Sequence, residues 1–444
     1  MKKKILHITA HLGGGVGKAI LGVAAHQDEQ FETQIVMLEK PEKVSAIQRA
    51  EKDGIKIYIC PCMKSTKKLM EEADIVVINW WNHPLMSGFL WEMPAVSTRL
   101  VIWVHVNGCT YPYLPFEFLN SFDYIFFTTK FSYENTLWNK EQLEIIRKKS
   151  AVILGNGDFR PEQMNPKAEY DNKGMIRVGY VGTLNYSKIN RSYVKFCEEA
   201  VRQSENLKFV MAGDIDPVFA NDIGKSFAKD KFEFLGYVEN VEDLYLSFDM
   251  LGYILNEENF GTTENVMLEA MAYGIPVIAY DGGVERAIID DQINGFLVHS
   301  PKEFADCVKG LAEDVKMKKQ IGQAGRKKVC SEFSCTKNIR LLLGCYKKIC
   351  MTGKKYHDLK TVIGEGPLEW FLHFTGKDRM IFEEYLLKQT KETREHLCLC
   401  KPIYRGERKS SIKHFLKYFP KELQLQKMAD EIEVYRLGKE EMDD

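Results

Sequence analysis

The chain has 444 residues, of which 45% are hydrophobic and 28% are charged, and its formal net charge is −1. This length suits two large domains and an extension, with ample apolar material for their cores. A net charge so close to zero excludes a general electrostatic attraction to nucleic acid or to a membrane, so any anionic ligand must be held by a local group of residues.

The amino terminus and the cysteine pattern indicate a cytoplasmic protein. The segment MKKKILHITAH predicts a first strand rather than a signal peptide, and no run of about 18 apolar residues predicts a membrane-spanning helix. The cysteines are scattered, and the close pairs Cys60/Cys62 and Cys398/Cys400 lack the two-residue spacer of a zinc site. We therefore expect reduced thiols and no metal site.

Residues 1–158 alternate short apolar runs with helical patterns, which is typical of a parallel, doubly wound α/β sheet. A polar, proline-containing stretch at residues 159–174 then has the composition of a linker. The runs before it predict strands at residues 5–9, 33–38, 56–59, 75–79, 100–105 and 124–128, and helices at residues 16–25 and 47–52.

The alternation restarts after the linker and continues to residue 350. We therefore predict the α/β fold class, with two tandem doubly wound, Rossmann-like domains at residues 1–158 and 175–350. In the second domain the pattern predicts strands at residues 177–182, 207–213, 232–235 and 250–255, and helices at residues 192–202, 241–248, 265–273 and 304–312.

Residues 351–444 form a helical extension of unknown role, with helices predicted at residues 380–399 and 412–419. Within it, residues 401–427 carry eight Lys or Arg and two acids, interleaved with aromatic residues. We expect the extension to pack on the second domain. The alternative is a contact of residues 401–427 with a membrane surface or with a protein partner, which would place the chain at the inner face of the membrane.

Residues 255–280, LNEENFGTTENVMLEAMAYGIPVIAY, are the stretch around which we interpret the rest of the chain. Their pattern predicts a strand end, a loop, a helix from residue 265, and a second strand. At such a loop the free backbone N–H groups and the positive helix end attract phosphate. The loop residues Gly261, Thr262 and Thr263, and the first helical residue Asn265, are therefore candidates for binding a diphosphate, beside the acids Glu264 and Glu269.

This stretch resembles the donor-binding motif of the GT-B glycosyltransferases of the family 4 type, in which E-x-F-G precedes a helix with E-A-M-A-x-G-x-P-V-I. The resemblance assigns Glu269 to the ribose hydroxyls of a nucleotide-diphosphate sugar. The family's other glutamate lies eight positions earlier, where this chain has Gly261. Either Glu258 or Glu264 could take its place against the sugar hydroxyls, and the sequence leaves the choice open.

In the first domain, the loop HLGGGVGK matches neither a Walker loop nor a dinucleotide fingerprint, because its lysine and glycine spacings are wrong for both. Glycine after a first strand still lets a ligand approach backbone N–H groups, although a purely structural turn is an alternative. In the family resembled, a glycine pair here faces the cleft between the two domains, and Gly14 and Gly15 fit that place. His105, at the end of a buried strand, matches a histidine that touches the transferred sugar.

In the second domain, residues 179–188 resemble the family's strand ending in V-G-R-L with a lysine soon after. Gly182 and Lys188 match, but Thr183 stands where the family has arginine. Cations are needed there because the leaving nucleoside diphosphate gains negative charge in the transition state. Arg191, or an N–H group of the Gly261 loop, could replace the missing cation.

The resemblance implies a retaining, metal-independent glycosyltransferase without a cofactor. The donor would be a nucleotide-diphosphate sugar, and the acceptor a glycan or lipid-linked molecule. The aromatic runs at residues 79–83 and 111–113 could form an acceptor platform or simply pack in loops. Two other functions remain open, a sugar-nucleotide epimerase and a catalytically silent binding subunit. Thr183 in place of arginine and the displaced glutamate favour the silent subunit.

Overall fold

The computed structural model describes residues 2–26, 30–41, 44–171 and 174–443, with the backbone alone for residues 437–443. The chain forms two compact units. The first comprises Met1–Gly157 and Leu341–Asp444, and the second comprises Asp158–Arg340. Each unit is built on its own parallel sheet.

The sheet of the first unit has seven parallel strands in the order β3-β2-β1-β4-β5-β6-β7. Its central strands are apolar and fully buried, as expected for a sheet covered by helices on both faces. The elements are β1 (Lys3–Thr9), α1 (Gly14–Ala24), β2 (Phe31–Met37), α2 (Ser45–Lys52), β3 (Lys56–Ile59), α3 (Met63–Glu72), β4 (Ile75–Trp80), α4 (Pro84–Trp91), β5 (Leu100–Val104), α5 (Phe116–Asn120), β6 (Tyr124–Phe127), α6 (Lys140–Lys148) and β7 (Ser150–Val152).

The sheet of the second unit has six parallel strands in the order β10-β9-β8-β11-β12-β13. The elements are β8 (Ile176–Val181), α7 (Tyr193–Gln203), β9 (Leu207–Ala212), α8 (Pro217–Lys225), β10 (Phe232–Gly236), α9 (Val241–Ser247), β11 (Met250–Tyr253), α10 (Asn265–Ala272), β12 (Val277–Tyr280), β13 (Phe296–Val298), α11 (Pro301–Glu313) and α12 (Val315–Glu332). Helix α13 (Cys335–Cys350) begins in the second unit and ends in the first. The predicted pair of doubly wound α/β domains with a helical extension is confirmed.

The stretch predicted as a linker is part of the second unit. The Lys167 N–H donates to the Tyr273 carbonyl at 2.8 Å, and the Tyr170 hydroxyl donates to the Gly274 carbonyl at 2.6 Å. Residues 159–171 are thereby tied to the end of α10. Asn172 and Lys173, the other residues of the predicted linker before Gly174, lie outside the described residues.

The prediction that the extension packs on the second domain is wrong, because residues 341–444 belong to the first unit. Helix α4 is almost wholly apolar, and Phe419 and Trp370 of the extension pack over it where Gly88 leaves space: a Cβ on Gly88 would lie 3.5 Å from Phe419. The helices of the extension are α14 (Lys360–Ile363), α15 (Pro367–His373), α16 (Arg379–Leu387), α17 (Lys391–Cys398), α18 (Pro402–Arg405), α19 (Ile412–Tyr418) and α20 (Leu423–Asp443).

The single helix predicted at residues 380–399 is in fact two helices, α16 and α17. The break occurs because Thr390 caps a new helix, its side chain accepting a hydrogen bond from the Thr393 N–H. None of the described helices combines the length and the apolar composition that crossing a membrane requires. Of the aromatic residues at 401–427, Tyr404 and Phe415 are fully buried in the first unit.

Candidate functional site

The candidate site of the second unit lies at the carboxyl edge of its sheet. Strands β8, β9, β11 and β12 are parallel, so the loops that follow them meet at one edge. The central loop runs from the end of β11 to α10, which begins at Asn265 as predicted. Thr263 is buried in this loop, whereas Thr262 is half-buried.

Glu264 is the carboxylate around which this loop is built. It is 8% exposed and stands directly before α10. One carboxylate oxygen, Oε2, accepts a hydrogen bond from the Tyr253 hydroxyl at 2.9 Å, and the other, Oε1, accepts one from Asn259 Nδ2 at 2.8 Å. Tyr253 is fully buried, and burial followed by the charge of Glu264 raises its pKa well above the ordinary range. The Tyr253 hydroxyl therefore remains a proton donor to the carboxylate.

The position of Gly261 explains how the loop accommodates an acid at 264. A Cβ built on Gly261 would lie 2.0 Å from Glu264 Oε1, so the Glu264 carboxylate fills the space that a side chain at 261 would enter. Position 261 is where the resembled family carries its first glutamate. The Tyr253, Asn259 and Lys188 contacts go to Glu264 rather than to Glu258, whose backbone N–H donates to Asn256 Oδ1.

Lys188 is held beside the same carboxylate. Its Nζ atom lies 3.6 Å from Glu264 Oε2 and 5.6 Å from the centre of the Tyr253 ring. The Lys188 carbonyl accepts a hydrogen bond from the Asn256 N–H at 2.8 Å, and Ile189 pairs with Leu255. The segment after β8 is thus fastened to the loop after β11, which brings the predicted cation and acid together.

The missing arginine has no direct replacement among the proposed groups. Thr183 is exposed, and its carbonyl accepts a hydrogen bond from the Tyr180 hydroxyl. The Arg191 guanidinium lies over the Tyr186 ring, 5.9 Å from its centre. The Gly261 N–H donates to Asn259 Oδ1 at 3.0 Å. Lys188 is therefore the cation that the fold places against Glu264.

Gly213 is needed for a close approach to Gly182, a contact between two loops that sequence reasoning missed. A Cβ on Gly213, after β9, would lie 1.9 Å from the Gly182 carbonyl oxygen. Both glycines have positive φ, 136° at Gly182 and 140° at Gly213, which other residues rarely adopt. The Gly182 N–H also donates to the Ala212 carbonyl at 2.9 Å. The signal was present in the sequence as a second glycine directly after a strand.

Glu269 lies one turn into α10 and is oriented by a buried phenol. The Tyr245 hydroxyl donates to Glu269 Oε2 at 3.0 Å, and the Tyr245 ring stacks on Tyr273 at 5.5 Å. Burial, followed by the negative charge of Glu269, raises the Tyr245 pKa well above the ordinary range. The sequence predicted Glu269 as a site residue but gave no sign of Tyr245.

Glu285 is a further buried acid that sequence reasoning passed over. It is 2% exposed, and its Oε2 atom accepts the Gly282 N–H at 3.1 Å. Burial, and then the nearby charge of Glu264, raises the pKa of Glu285 to about 8. Glu285 is thus largely protonated at neutral pH.

In the first unit, His105 ends a chain of polar groups. The Asn79 side chain stands between two imidazoles, 3.2 Å from His105 Nε2 and 3.3 Å from His7 Nδ1, and His7 Nε2 lies 3.3 Å from the Tyr346 hydroxyl. Burial lowers the pKa of His105 to about 3, and that of His7 to about 4. His105 is therefore a neutral imidazole near pH 7, able to hydrogen-bond but not to act as a cation.

The glycine loop of the first unit leaves its backbone accessible. Gly14 has φ +63° and begins α1, and a Cβ added to Gly14 or Gly15 would meet nothing within 4 Å. Two residues of the predicted aromatic runs, Trp80 and Tyr111, are buried against the extension. The Trp80 ring contacts Phe374 at 4.8 Å, and the Tyr111 ring contacts Tyr404 at 4.5 Å. These two rings form core, not a platform for a sugar.

Comparison with known proteins identifies the second unit. Residues 160–328 match the family model of glycosyl transferases group 1. The second unit is a glycosyl transferases group 1 domain. The match lies within the second unit. It confirms the recognition of a glycosyltransferase from the motif at residues 255–280, whereas the family 4 type stays a prediction.

Relatives of known name support this classification. Spore coat protein SA of Bacillus subtilis is 26% identical over 125 residues, which cover 27% of this chain and 33% of the relative. Alpha-D-kanosaminyltransferase of Streptomyces kanamyceticus is 24% identical over 175 residues, which cover 38% and 45%. The chain thus spans a third to a half of these curated relatives.

A solved structure shares the architecture of both units. HepE of Anabaena, in complex with UDP and glucose, is 13% identical, with a TM-score of 0.58 over 78% of this chain and 100% of that chain. At this identity the likeness shows the fold. The chain has the GT-B fold, with the group 1 domain as its second unit.

Proposed function

We propose that this protein is a glycosyltransferase that moves a sugar from a nucleotide-diphosphate sugar to a glycan or lipid-linked acceptor. The observation that carries the proposal is the Lys188–Glu264 pair, 3.6 Å apart, beside the Gly261 loop of a group 1 domain. HepE, which has this fold, is described in complexes with UDP and with UDP-glucose. A uridine nucleotide is accordingly the first donor to test.

Each residue of the site has a role in this proposal. Lys188 neutralises the negative charge that grows on the leaving diphosphate. Such electrostatic stabilisation of the transition state is usually the largest single contribution to catalysis. Glu264 accepts hydrogen bonds from hydroxyl groups of the transferred sugar, and it takes over the role of the family's first glutamate because its carboxylate fills the space beside Gly261. Glu269, which is oriented by the Tyr245 hydroxyl, accepts hydrogen bonds from the ribose hydroxyl groups.

Two further acid–base groups complete the proposal. Protonated Glu285 offers a neutral donor close to the charge of Glu264, so that two acids can share one site without both being ionised. Neutral His105 contributes a hydrogen bond to the sugar. Retention of configuration and independence of metal are carried from the resemblance as parts of the same proposal, and a cytoplasmic location is carried from the cysteine pattern.

The proposal is tested by ligand-dependent stability of the purified full-length chain. A ligand that binds only the folded state raises the melting temperature by mass action. We expect UDP-glucose, GDP-glucose or ADP-glucose to raise it, and Lys188→Gln to remove most of the rise, while Lys195→Gln, an exposed change on α7, leaves it intact. No shift with any nucleotide sugar, together with no sugar release or transfer, would refute the proposal.

A catalytically silent binding subunit is the second candidate. The exposed Thr183, in place of the family's arginine, favours it, since Arg191 lies over Tyr186 and supplies no second cation to the Lys188–Glu264 pair. Restoring the cation by Thr183→Arg separates the two functions. If the protein is a glycosyltransferase, the unaltered chain already releases or transfers sugar. If it is a silent subunit, the unaltered chain binds the nucleotide sugar but releases none, and only the Thr183→Arg variant could do so.

A further inference from the structure

A cavity of about 610 Å³ lies within the first unit, at the glycine loop after β1. One part of its lining comes from this loop and from the segments after β2 and β4, and the other part comes from the extension, through residues 409–418. Two segments more than 300 residues apart in sequence thus build one cavity. The sequence placed a candidate ligand loop here but did not place the extension beside it.

Aromatic rings form much of the lining. Trp81 and the His414 ring are stacked at 6.1 Å with an angle of 18°, and the His83 ring lies edge-on to both Trp81 at 4.6 Å and Tyr418 at 4.9 Å. Flat rings that carry polar atoms at their edges suit the apolar face and the hydroxyl rim of a pyranose. The ring chemistry of the lining, with His414 and Tyr418 partly exposed, therefore suits a sugar.

The described residues that line the cavity carry more positive than negative charge. Lys409 and Lys417, exposed residues of the extension, stand over the Trp81 and Tyr418 rings at 5.0 and 5.6 Å. Exposed Lys40 adds a third cation from the segment after β2. Among the described lining residues the one acid is Glu39, so the lysines outnumber it.

Glu39 is moreover engaged by its neighbours. Its Oε2 atom accepts a hydrogen bond from the Tyr418 hydroxyl at 2.7 Å, and its Oε1 atom lies 3.5 Å from His83 Nε2. Burial lowers the pKa of His83, and burial followed by the influence of His83 lowers that of His414 to about 3, so both rings are neutral near pH 7. The formally charged groups of the described lining are therefore Glu39 and the three lysines.

We propose that this cavity binds a sugar that carries a negatively charged group, a phosphate above all, with the sugar against the aromatic rings and the anion against Lys409 and Lys417. The extension is then part of a ligand site and not only a support for α4. The use of this sugar as the acceptor rests on the proposed glycosyltransferase function; its binding does not. Lysine binds phosphate as a point charge, and a free sugar phosphate and a lipid-linked sugar phosphate share this chemistry.

A divalent cation is the competing occupant. His11, Glu39 and His83 offer ligand atoms that all lie within 4.8 Å of one another. The Glu39 Oε2 atom already accepts a hydrogen bond from the Tyr418 hydroxyl, and the three lysines of the same lining disfavour a further positive charge. We therefore assign the cavity to an anionic sugar, and the experiment includes a metal arm.

Calorimetric titration of the full-length chain tests the proposal. The probes are glucose 6-phosphate, glucuronate, glucose and inorganic phosphate, with an alkyl glucosyl phosphate in micelles as the lipid-linked arm. We expect glucose 6-phosphate to bind, glucose to bind at least about tenfold more weakly, and the affinity to fall as NaCl rises, since exposed charges are screened within about 10 Å at 0.1 M salt. Tighter binding of either phosphate source identifies which one the cavity prefers.

The double variant Lys409→Gln/Lys417→Gln is the decisive change. It should weaken glucose 6-phosphate binding roughly tenfold or more, because two contacts to a charged group are lost. The matched control Lys388→Gln/Lys391→Gln removes the same charge from exposed positions of the extension outside the cavity, and it should leave the affinity unchanged. Equal binding by both double variants, or no binding of any sugar phosphate by the unaltered chain, overturns the proposal.

Two readouts separate the possible failures. Binding of UDP, GDP and ADP is measured in the same preparations: binding of any of these nucleotides without sugar phosphate binding overturns this inference alone, and sugar phosphate binding without binding of any of them overturns the proposed function alone. In the metal arm, sugar phosphate binding that vanishes with EDTA and returns with Zn²⁺, regardless of the lysine substitutions, shows a metal site and overturns the anionic-sugar assignment.

Discussion

Gly261→Ala tests whether Glu264 has taken the place of a glutamate at 261. The added Cβ would lie 2.0 Å from Glu264 Oε1 and 2.9 Å from Asn259 Nδ2. The carboxylate cannot swing aside freely, because Asn259 holds one of its oxygens while Tyr253 and Lys188 hold the other. Gly261 does not have positive φ, so the backbone itself tolerates alanine.

The magnitude follows from these contacts. Overpacking by one methyl group costs about 1–3 kcal/mol, and losing a hydrogen bond to a charged group costs about 1.5–3 kcal/mol, so we expect Gly261→Ala to lower the free energy of unfolding by about 2.5–6 kcal/mol. Gly224→Ala is the matched control. Gly224 lies in α8 of the same unit, where an added Cβ meets nothing within 4 Å, and alanine there should be neutral or stabilising by up to about 1 kcal/mol.

A double-mutant cycle isolates the shared space. Glu264→Ala alone leaves the buried Tyr253 hydroxyl unpaired and should cost about 2–3 kcal/mol. Once the carboxylate is gone, the methyl group at 261 has room, so the double variant Gly261→Ala/Glu264→Ala should be more stable than the sum of the single changes by at least about 1 kcal/mol. Costs that add to within about 0.5 kcal/mol would refute the shared-space interpretation.

The assay must report on the second unit. All six tryptophans lie in the first unit, so tryptophan fluorescence follows the wrong part of the chain. Peptide-resolved hydrogen exchange of α10 and its preceding loop, measured across a urea series, follows the opening of the site itself. The same peptides serve the single variants, the double variant and the Gly224 control.

Three further predictions concern the same unit. Glu285→Gln should flatten the pH dependence of stability: because burial raises the folded pKa to about 8, the wild-type chain should lose stability as pH rises from about 5 through 8, whereas the variant should not, as urea unfolding of the second unit at several pH values would reveal. Gly213→Ala should destabilise by about 3 kcal/mol or more, since its Cβ meets the Gly182 carbonyl in a backbone with φ +140°; a melting temperature within a degree of wild type would contradict this. Tyr245→Phe should keep the fold but weaken nucleotide binding by about 1 kcal/mol through Glu269, and unchanged calorimetric affinity would argue against that role.

The strands and the helix of the site could be predicted because their patterns are local. Strand β3 has the predicted bounds, and α10 begins at the predicted Asn265, since apolar periodicity and a turn-forming loop determine both. Lys188 was carried over from the family resemblance, as a lysine soon after a strand that ends in glycine. These features depend on a few neighbouring residues.

The remaining features depend on contacts between distant residues. The choice between Glu258 and Glu264 was open in the sequence, because it depends on which carboxylate Tyr253 and Asn259 can reach. The partner of the extension was predicted wrongly because nothing in its own pattern identifies the apolar surface of α4 beneath Trp370. The sequence pattern also cannot predict an acid with a raised pKa such as Glu285, since burial is a property of the folded chain.

The central claim is that the group 1 domain binds a nucleoside diphosphate at Lys188. Calorimetric titration of UDP into the full-length chain, Lys188→Gln and the surface control Lys195→Gln tests it directly. The wild-type chain and the control should bind UDP equally, and Lys188→Gln should bind at least about tenfold more weakly, as expected when one charge-assisted contact is lost. Equal affinity of Lys188→Gln and wild type for UDP would contradict the claim.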